Sequence, residues 1–174
     1  MLRGKKVLLR SIEKRDINII YDFIIEDELK KLDGFYELPP GKEYIMENFN
    51  KIIGSEKKYL SIINEKGVLI GYISFKELKD TCNVYKLGIT IGKGFWNRGY
   101  GQDSIITLLQ YLFLFRGAQR VELEVLDFNE RAINAYKKCG FVEEGRKRKG
   151  FFSQGQYHDL VIMGIIKEDY FQNK

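Results

Sequence analysis

The chain has 174 residues and a net charge of +5 at pH 7, a size that suits one domain with one substantial core. Its apolar residues form no run of about 18, which predicts no transmembrane helix, and its basic first segment lacks the apolar core of a secretory signal. Cys82 and Cys139 match no metal-binding spacing, so we expect reduced thiols in a cytoplasmic protein without a metal. The basic residues are spread along the chain, apart from a basic run at Gly145–Gly150. Charge alone therefore does not predict nucleic-acid binding.

The first half of the chain predicts a strand, two helices and a hairpin. Lys6–Ile12 is typical of a strand, and Asp16 suits the N-cap of a following helix. The breaker Leu38–Lys42 precedes a second amphipathic helix. Two apolar runs then flank Glu65–Gly67, which indicates a hairpin with a glycine near its positive-φ position.

The second half predicts a strand at Asn83–Gly92, a glycine turn and a long apolar helix from Gln102. Residues Arg120–Leu126 alternate strictly between apolar and polar, as in a strand. A helix capped by Asn129 follows, and then two further strands. The predicted order is β-α-α-β-β-β-α-β-α-β-β. We therefore expect a single-domain α/β fold over residues 1–174, with a mixed sheet flanked by helices.

The glycine turn between the fourth strand and the long helix has the character of an anion site. A helix N-terminus offers unpaired N–H groups and a partial positive charge. Gly99 and Gly101 remove side chains that would keep a phosphate away, and Lys93 and Arg98 lie close in sequence. The chain contains no P-loop motif. The turn also fails to match G-x-G-x-x-G, because Ser104 stands where the last glycine would be. A plain tight turn would use the same glycines, so both interpretations stay open.

Two segments carry a family resemblance: "ITIGKGFWNRGYGQDSI" (Ile89–Ile105) and "LEVLDFNERAINAYKKCGFVEEG" (Leu123–Gly145). Together they resemble the acetyl-CoA core of the GNAT family of N-acetyltransferases. The resemblance implies a mostly antiparallel sheet and acetyl-CoA as co-substrate. Trp96 stands where the general motif has Gln or Arg. The pair Phe95-Trp96 instead resembles the branch that acetylates ribosomal-protein N-termini, and the tail resembles that branch and the polyamine acetyltransferases.

The resemblance implies roles for particular residues around the cofactor. The fourth strand would pair with the pantetheine arm, the glycine turn would wrap the pyrophosphate, and two asparagines of the next helix would face the cofactor. Asn129 serves equally well as an N-cap. The implied cofactor-binding residues are Ile89, Thr90, Ile91, Asn97, Arg98, Gly99, Tyr100, Gly101, Gln102, Asp103, Asn129 and Asn134.

The resemblance also implies a general acid. Transfer of an acetyl group to an amine needs a neutral amine, a well-placed thioester and a proton for the leaving thiolate. Tyr136 matches the family tyrosine that lies beside the thioester sulfur. The fourth strand, "NVYKLGITIG", contains no carboxylate, so Glu124 is the candidate base, with Glu122 or a water relay as alternatives.

The acceptor stays open on sequence. The branch resemblance favours a protein or peptide N-terminal amine, with a polyamine or another small-molecule amine as the alternative. Asp22, Glu26, Asp27 and Glu28 could attract a cationic amine, although a solvated face explains them too. His158 is expected to be a satisfied strand histidine rather than a ligand. A non-catalytic CoA-binding regulator or an RNA-binding protein is the alternative of another class, and a homodimer is plausible from the branch alone.

Overall fold

The computed structural model describes residues 1–33, 39–79 and 81–172, and its strands form one eight-stranded sheet. The order across the sheet is β1-β2-β3-β4-β5-β6-β8-β7, and every neighbouring pair is antiparallel except β5 and β6. The predicted mixed, mostly antiparallel sheet is thus confirmed. The strands are β1 (Leu2–Arg3), β2 (Val7–Ser11), β3 (Lys58–Asn64), β4 (Leu69–Glu77), β5 (Val84–Ile91), β6 (Arg120–Leu126), β7 (Val142–Ser153) and β8 (Gln156–Ile166).

The helices follow the predicted order, with two of them divided. The first predicted helix breaks at Glu26, whose ψ of 120° is extended, and the second breaks at Asn48. A two-residue strand at the start and a short helix at the end were not predicted. The helices are α1 (Ile17–Ile25), α2 (Asp27–Asp33), α3 (Lys42–Glu47), α4 (Phe49–Ile53), α5 (Tyr100–Phe115), α6 (Glu130–Lys138) and α7 (Lys167–Gln172).

Helices cover both faces of the sheet. The apolar helix α5 buries Ile105, Leu108 and Leu112 in the main core, together with Leu87 from β5. On the opposite face, Ile20 of α1 packs in a second, smaller cluster over β3 and β4. Because side chains alternate along a strand, β3 contributes Ile62 to the main core and Ile63 to the second cluster.

The parallel pair in the middle of the sheet is short. Only three residues of β5, Val84–Lys86, pair with three residues of β6, Arg120–Glu122, although both strands continue beyond this pairing. The remaining lengths of the two strands diverge and leave a cleft in the sheet. The start of α5 follows β5 after a short 3₁₀ turn at Lys93–Phe95, which brings the glycine turn to the mouth of this cleft.

A buried ion pair holds the start of α1 against the sheet. Asp16 is 4% exposed and accepts two hydrogen bonds from the guanidinium of Arg10, at 2.6 and 2.8 Å. It also accepts from the hydroxyl of Ser61 and from the backbone N–H of Glu13. Burial by itself raises the pKa of Asp16, but these hydrogen bonds outweigh it and hold the pKa below its ordinary value.

We expect Asp16→Asn to lower the free energy of unfolding by about 3 kcal/mol at pH 7, because it removes the buried counter-ion of Arg10 and leaves only the more exposed carboxylate of Glu13, at 3.6 Å. The folded-state pKa of Asp16 is depressed, so its stabilisation is complete above the unfolded pKa and is lost as the pH falls through the folded value. The difference between variant and wild type should therefore shrink below about pH 4. Urea unfolding from pH 7 to pH 3 measures it, with Asp27→Asn, at an exposed ion pair, as the control. A loss below about 1 kcal/mol would contradict the assigned role.

Candidate active site

A cavity of about 1050 Å³ occupies the cleft between the diverging ends of β5 and β6. Its walls come from both strands, the glycine turn, α6 and parts of α2 and β4. The cavity passes through the sheet, because its lining includes side chains from both faces of β5. The predicted site residues in its lining are Ile89, Thr90, Ile91, Asn97, Gly99, Tyr100, Gly101, Gln102, Glu124, Asn129, Asn134 and Tyr136.

The backbone of β5 is directed into the cleft at alternate residues. Gly92 donates its N–H to Ile70 of β4, so the neighbouring residues Ile89 and Ile91 turn their backbone polar groups to the opposite side. The carbonyl of Ile91 already accepts a hydrogen bond from the indole N–H of Trp96, at 2.6 Å. Ile89 is therefore better placed than Ile91 to pair with an extended chain lying in the cleft.

The glycine turn fits an approaching ligand. Gly99 is the N-cap of α5 with a left-handed φ of 82°, and no side chain caps the helix there. Gly101 has an ordinary helical backbone, and a Cβ on it would meet Ile91 Cγ1 only at 3.8 Å. The fold itself therefore does not require glycine at position 101, where glycine costs helix stability. This leaves the N–H groups at the start of α5 open to an anion in the cavity.

Two predicted cofactor residues, Arg98 and Asp103, lie outside the described lining of the cavity. The carboxylate of Asp103 accepts hydrogen bonds from the backbone N–H groups of Lys5, Lys6 and Val7. The Arg98 side chain is exposed, while its carbonyl accepts from Lys6 Nζ at 2.9 Å. Asp103 therefore anchors the N-terminal turn to α5, and Lys6 adds a positive charge beside the glycine turn. The sequence gives no local signal for Lys6, because 97 residues separate it from Asp103.

A second residue missed by sequence reasoning is Arg131. Its guanidinium lies over the ring of Trp96, 3.2 Å from the ring centre, and lines the cavity. This cation–π contact joins α6 to the turn before α5. It also explains the unusual aromatic residue in the motif, since Trp96 both stacks on Arg131 and fixes the carbonyl of Ile91.

Helix α6 brings the candidate acid to the cavity. The side chain of Asn129 accepts from the N–H of Ala132 at 3.2 Å, which confirms its N-cap role. Tyr136, two turns later, is buried and lies edge-on to Phe141. Asn134 is exposed at the rim.

Glu124 lies on β6 between two lysines. Its carboxylate forms ion pairs with Lys86 Nζ at 2.9 Å and with Lys147. Burial by itself raises the pKa of Glu124, but the hydrogen bonds from Lys147 and Lys86 outweigh it and leave the pKa below its ordinary value. The group is therefore ionised at neutral pH and is a weak base.

The other acidic residues considered from the sequence lie elsewhere. Glu122 pairs with Arg120, Asp27 with Lys30 and Glu28 with Lys93. Within the described part of the chain, none of these carboxylates lines the cavity.

Neither the histidine nor the buried cysteine has a place in the described lining. His158 lies 3.6 Å from the carboxylate of Asp127 and edge-on to Phe128. Burial raises the pKa of the Cys139 thiol to about 12, which leaves the thiol protonated and unreactive.

Residues 1–33, 39–79 and 81–172 offer neither a metal site nor a membrane-spanning helix. They contain no group of three or more His, Cys, Asp or Glu side chains that could hold a metal ion. None of their helices is both long and apolar enough to cross a bilayer. The cytoplasmic location and the homodimer stay predictions.

Comparison with known proteins agrees with this geometry. Residues 6–142 match the family model described as an acetyltransferase (GNAT) domain. Spermidine N(1)-acetyltransferase of Vibrio cholerae is 26% identical over 170 residues, which cover 96% of each chain. YdaF of Bacillus subtilis, provisionally described as a ribosomal N-acetyltransferase, is 26% identical over 176 residues, 96% of this chain and 94% of the relative.

The same family appears among solved structures. The crystal structure of the Vibrio cholerae spermidine N-acetyltransferase, in complex with CoA and spermine, superposes with a TM-score of 0.86. It is 25% identical, and the match covers 95% of this chain and 98% of that one. With the cleft in the sheet, the glycine turn and the family match over most of its length, the chain belongs to the GNAT family and is an acetyl-CoA-dependent N-acetyltransferase.

Proposed function

We propose that the protein acetylates the primary amine of a small molecule rather than the N-terminus of a protein. The observation that carries the proposal is the near full-length match to an enzyme whose crystal structure holds CoA and spermine. A ribosomal N-acetyltransferase is named among the relatives as well, but the spermidine enzymes recur among both the curated relatives and the solved structures. The named relatives make polyamines the first small amines to test, ahead of the N-terminal amine that the sequence motif favours.

Different residues bind different parts of acetyl-CoA. In this proposal the backbone of Ile89 pairs with the pantetheine arm, and the N–H groups of Tyr100, Gly101 and Gln102 hold the pyrophosphate. Arg131 and Lys6 supply positive charge near the phosphates, one from α6 and one from the N-terminal turn. Acetyl-CoA supplies the activated acyl group as a thioester.

The reaction is direct transfer from sulfur to nitrogen. The amine nitrogen forms a bond to the thioester carbonyl carbon, the C–S bond breaks, and the leaving thiolate takes a proton from the Tyr136 hydroxyl. The nitrogen loses a proton to Glu124, directly or through water, and solvent accepts this proton and returns one to Tyr136. Among the described residues of the lining, Glu124 is the one carboxylate. The neighbouring charge of Lys86 also favours the neutral form of an acceptor amine beside it.

The function is tested by CoA thiol release from acetyl-CoA with spermidine, spermine, an aminoglycoside, amino acids and short peptides. Turnover with a small amine, and little with peptides, is the expected result. Turnover with peptides alone would restore the protein N-terminus as the acceptor. Acetyl-CoA binding without turnover on any amine would indicate a non-catalytic CoA-binding regulator. Salt-dependent affinity for RNA without a preference for acetyl-CoA would indicate an RNA-binding protein.

Gly101→Ala should leave the fold intact and weaken acetyl-CoA binding about tenfold or more, because the new methyl group has room in the protein but not beside a pyrophosphate. Isothermal titration gives the affinity, and thermal unfolding reports the fold. Gly94→Ala is the matched control, since a Cβ there meets nothing within 4 Å and the residue lies outside the described lining. Equal affinity in both variants would show that the turn holds no phosphate.

Tyr136→Phe should lower kcat about a hundredfold at saturating amine, while the affinity for acetyl-CoA changes by less than about twofold. The variant keeps the ring contact with Phe141 and removes the hydroxyl proton. Steady-state thiol release measures the rate. Tyr111→Phe, on α5 and outside the described lining, is the control. An unchanged kcat in Tyr136→Phe would remove this tyrosine from the chemistry.

Glu124→Gln should lower kcat about a hundredfold at pH 7 if this carboxylate takes the amine proton. Because the pKa of Glu124 lies below its ordinary value, the group is already ionised at neutral pH and adds no limb to the wild-type profile at neutral and alkaline pH. The rate should rise with pH as the acceptor amine loses its proton, and the deficit of the variant should narrow. A deficit below about threefold at every pH would assign the proton to water alone.

A further inference from the structure

We propose that the acceptor carries a carboxylate or phosphate close to the amine that is acetylated, and that Lys76 and Lys86 bind this anionic group. The inference rests on the proposed function, because it names the class of small amine that the same site takes. It separates this protein from relatives whose names give spermidine, a polycation, as substrate.

The two lysines face each other across the sheet. Lys76 of β4 pairs directly with Lys86 of β5 in the antiparallel register. Opposed residues in such a pair project to the same face, with Cβ atoms about 5 Å apart. Both side chains line the cavity, on the face opposite α5, since the neighbouring residues Tyr85 and Leu87 are buried in the core beneath that helix. Like charges directly opposite each other destabilise a sheet, and here Glu124 offsets the charge of Lys86, while Lys76 forms no ion pair with a carboxylate of the described residues.

The described lining of the cavity offers one carboxylate to these lysines. One carboxylate in the described lining, Glu124, pairs with Lys86 and with Lys147, so both of its partners already compete for it. In the described ranges of the chain no carboxylate forms an ion pair with Lys76. Lys57 adds a third lysine to the lining at the same end of β4, next to Lys58, which pairs with Phe75. Among the described residues that line this end of the cavity, lysines therefore outnumber carboxylates.

Two of the four acidic residues that could attract a polycation, Asp27 and Glu28, form ion pairs outside the described lining of the cavity. Asp27 pairs with Lys30 on its own helix, and Glu28 pairs with Lys93. The residues that α2 contributes to the described lining are apolar, Leu29 and Leu32. A second ammonium group entering this cavity would thus meet lysines, and their repulsion selects against it.

An anionic group on the acceptor accounts for the opposed pair of lysines and for the excess of lysines over carboxylates in the described lining. A carboxylate or phosphate near Lys76 and Lys86 gains charge-assisted hydrogen bonds and removes the like-charge repulsion. The acceptor amine, held further into the cleft, would lie toward Glu124, between the lysines and the thioester. Charge complementarity then fixes the orientation of the acceptor as well as its class.

Matched pairs of acceptors that differ in one anionic group test the proposal. Lysine carries a carboxylate that cadaverine lacks, and tyrosine carries one that tyramine lacks. Glucosamine 6-phosphate carries a phosphate that glucosamine lacks. We expect kcat/KM to be about tenfold or more higher for the anionic member of at least one pair, as one charge-assisted hydrogen bond allows. The carboxylate and phosphate pairs show which source of the anion is preferred.

Lysine variants test the assignment of the residues. Lys76→Gln should raise KM for the anionic member about tenfold, while KM for its partner without the anionic group changes by less than about threefold. Lys76→Arg keeps the positive charge and should restore most of the loss. Lys14→Gln, an exposed lysine outside the described lining, is the control for a change in net charge. Because Lys76 is exposed, we expect Lys76→Gln to fold, and thermal unfolding verifies it.

The possible failures are distinguishable. If spermidine or the amines without an anionic group are the better substrates, and Lys76→Gln leaves every KM unchanged, the anionic acceptor is wrong and the small-amine function stands. If acetyl-CoA binds but no amine of either kind is acetylated, the proposed function itself fails.

Discussion

The separation of β5 from β6 is the constraint on which the rest of the molecule depends. A sheet normally satisfies its backbone groups by continuous pairing, but here the central parallel pair ends after three residues on each strand. The cavity, the backbone directed into it and the position of the glycine turn all follow from that divergence. Helices on both faces and the buried Asp16–Arg10 pair keep the sheet rigid around a gap in its middle.

The turn before α5 shows how one short segment meets structural and binding demands together. Asp103 ties it to the N-terminal turn, Trp96 fixes the last carbonyl of β5, and Gly99 supplies the left-handed cap. These side-chain contacts leave the amides at the start of α5 directed at the cavity. At the opposite end of the cavity, the lysines of the described lining outnumber its single carboxylate. This charge distribution suits the anionic acceptor that we propose.

Prediction from the sequence succeeded where the signal is local. The alternating pattern of Arg120–Leu126 gave the bounds of β6, and the Asn129 cap gave the start of α6. It was less accurate where contacts distant in sequence decide. Asp103, predicted to face a phosphate, instead binds the backbone of residues 5–7, and Lys6 and Arg131 joined the site without a motif to mark them.

The sequence by itself determined the family, the element order, the glycine turn and the tyrosine of α6, because each depends on residue types at short, fixed spacing. The tertiary structure alone decided which charges meet. Lys76 and Lys86 are ten positions apart and belong to different strands, and only the register of β4 against β5 places them face to face beside Glu124. Acceptor chemistry depends on such cross-strand electrostatics, so it could not be predicted from the order of residues along the chain.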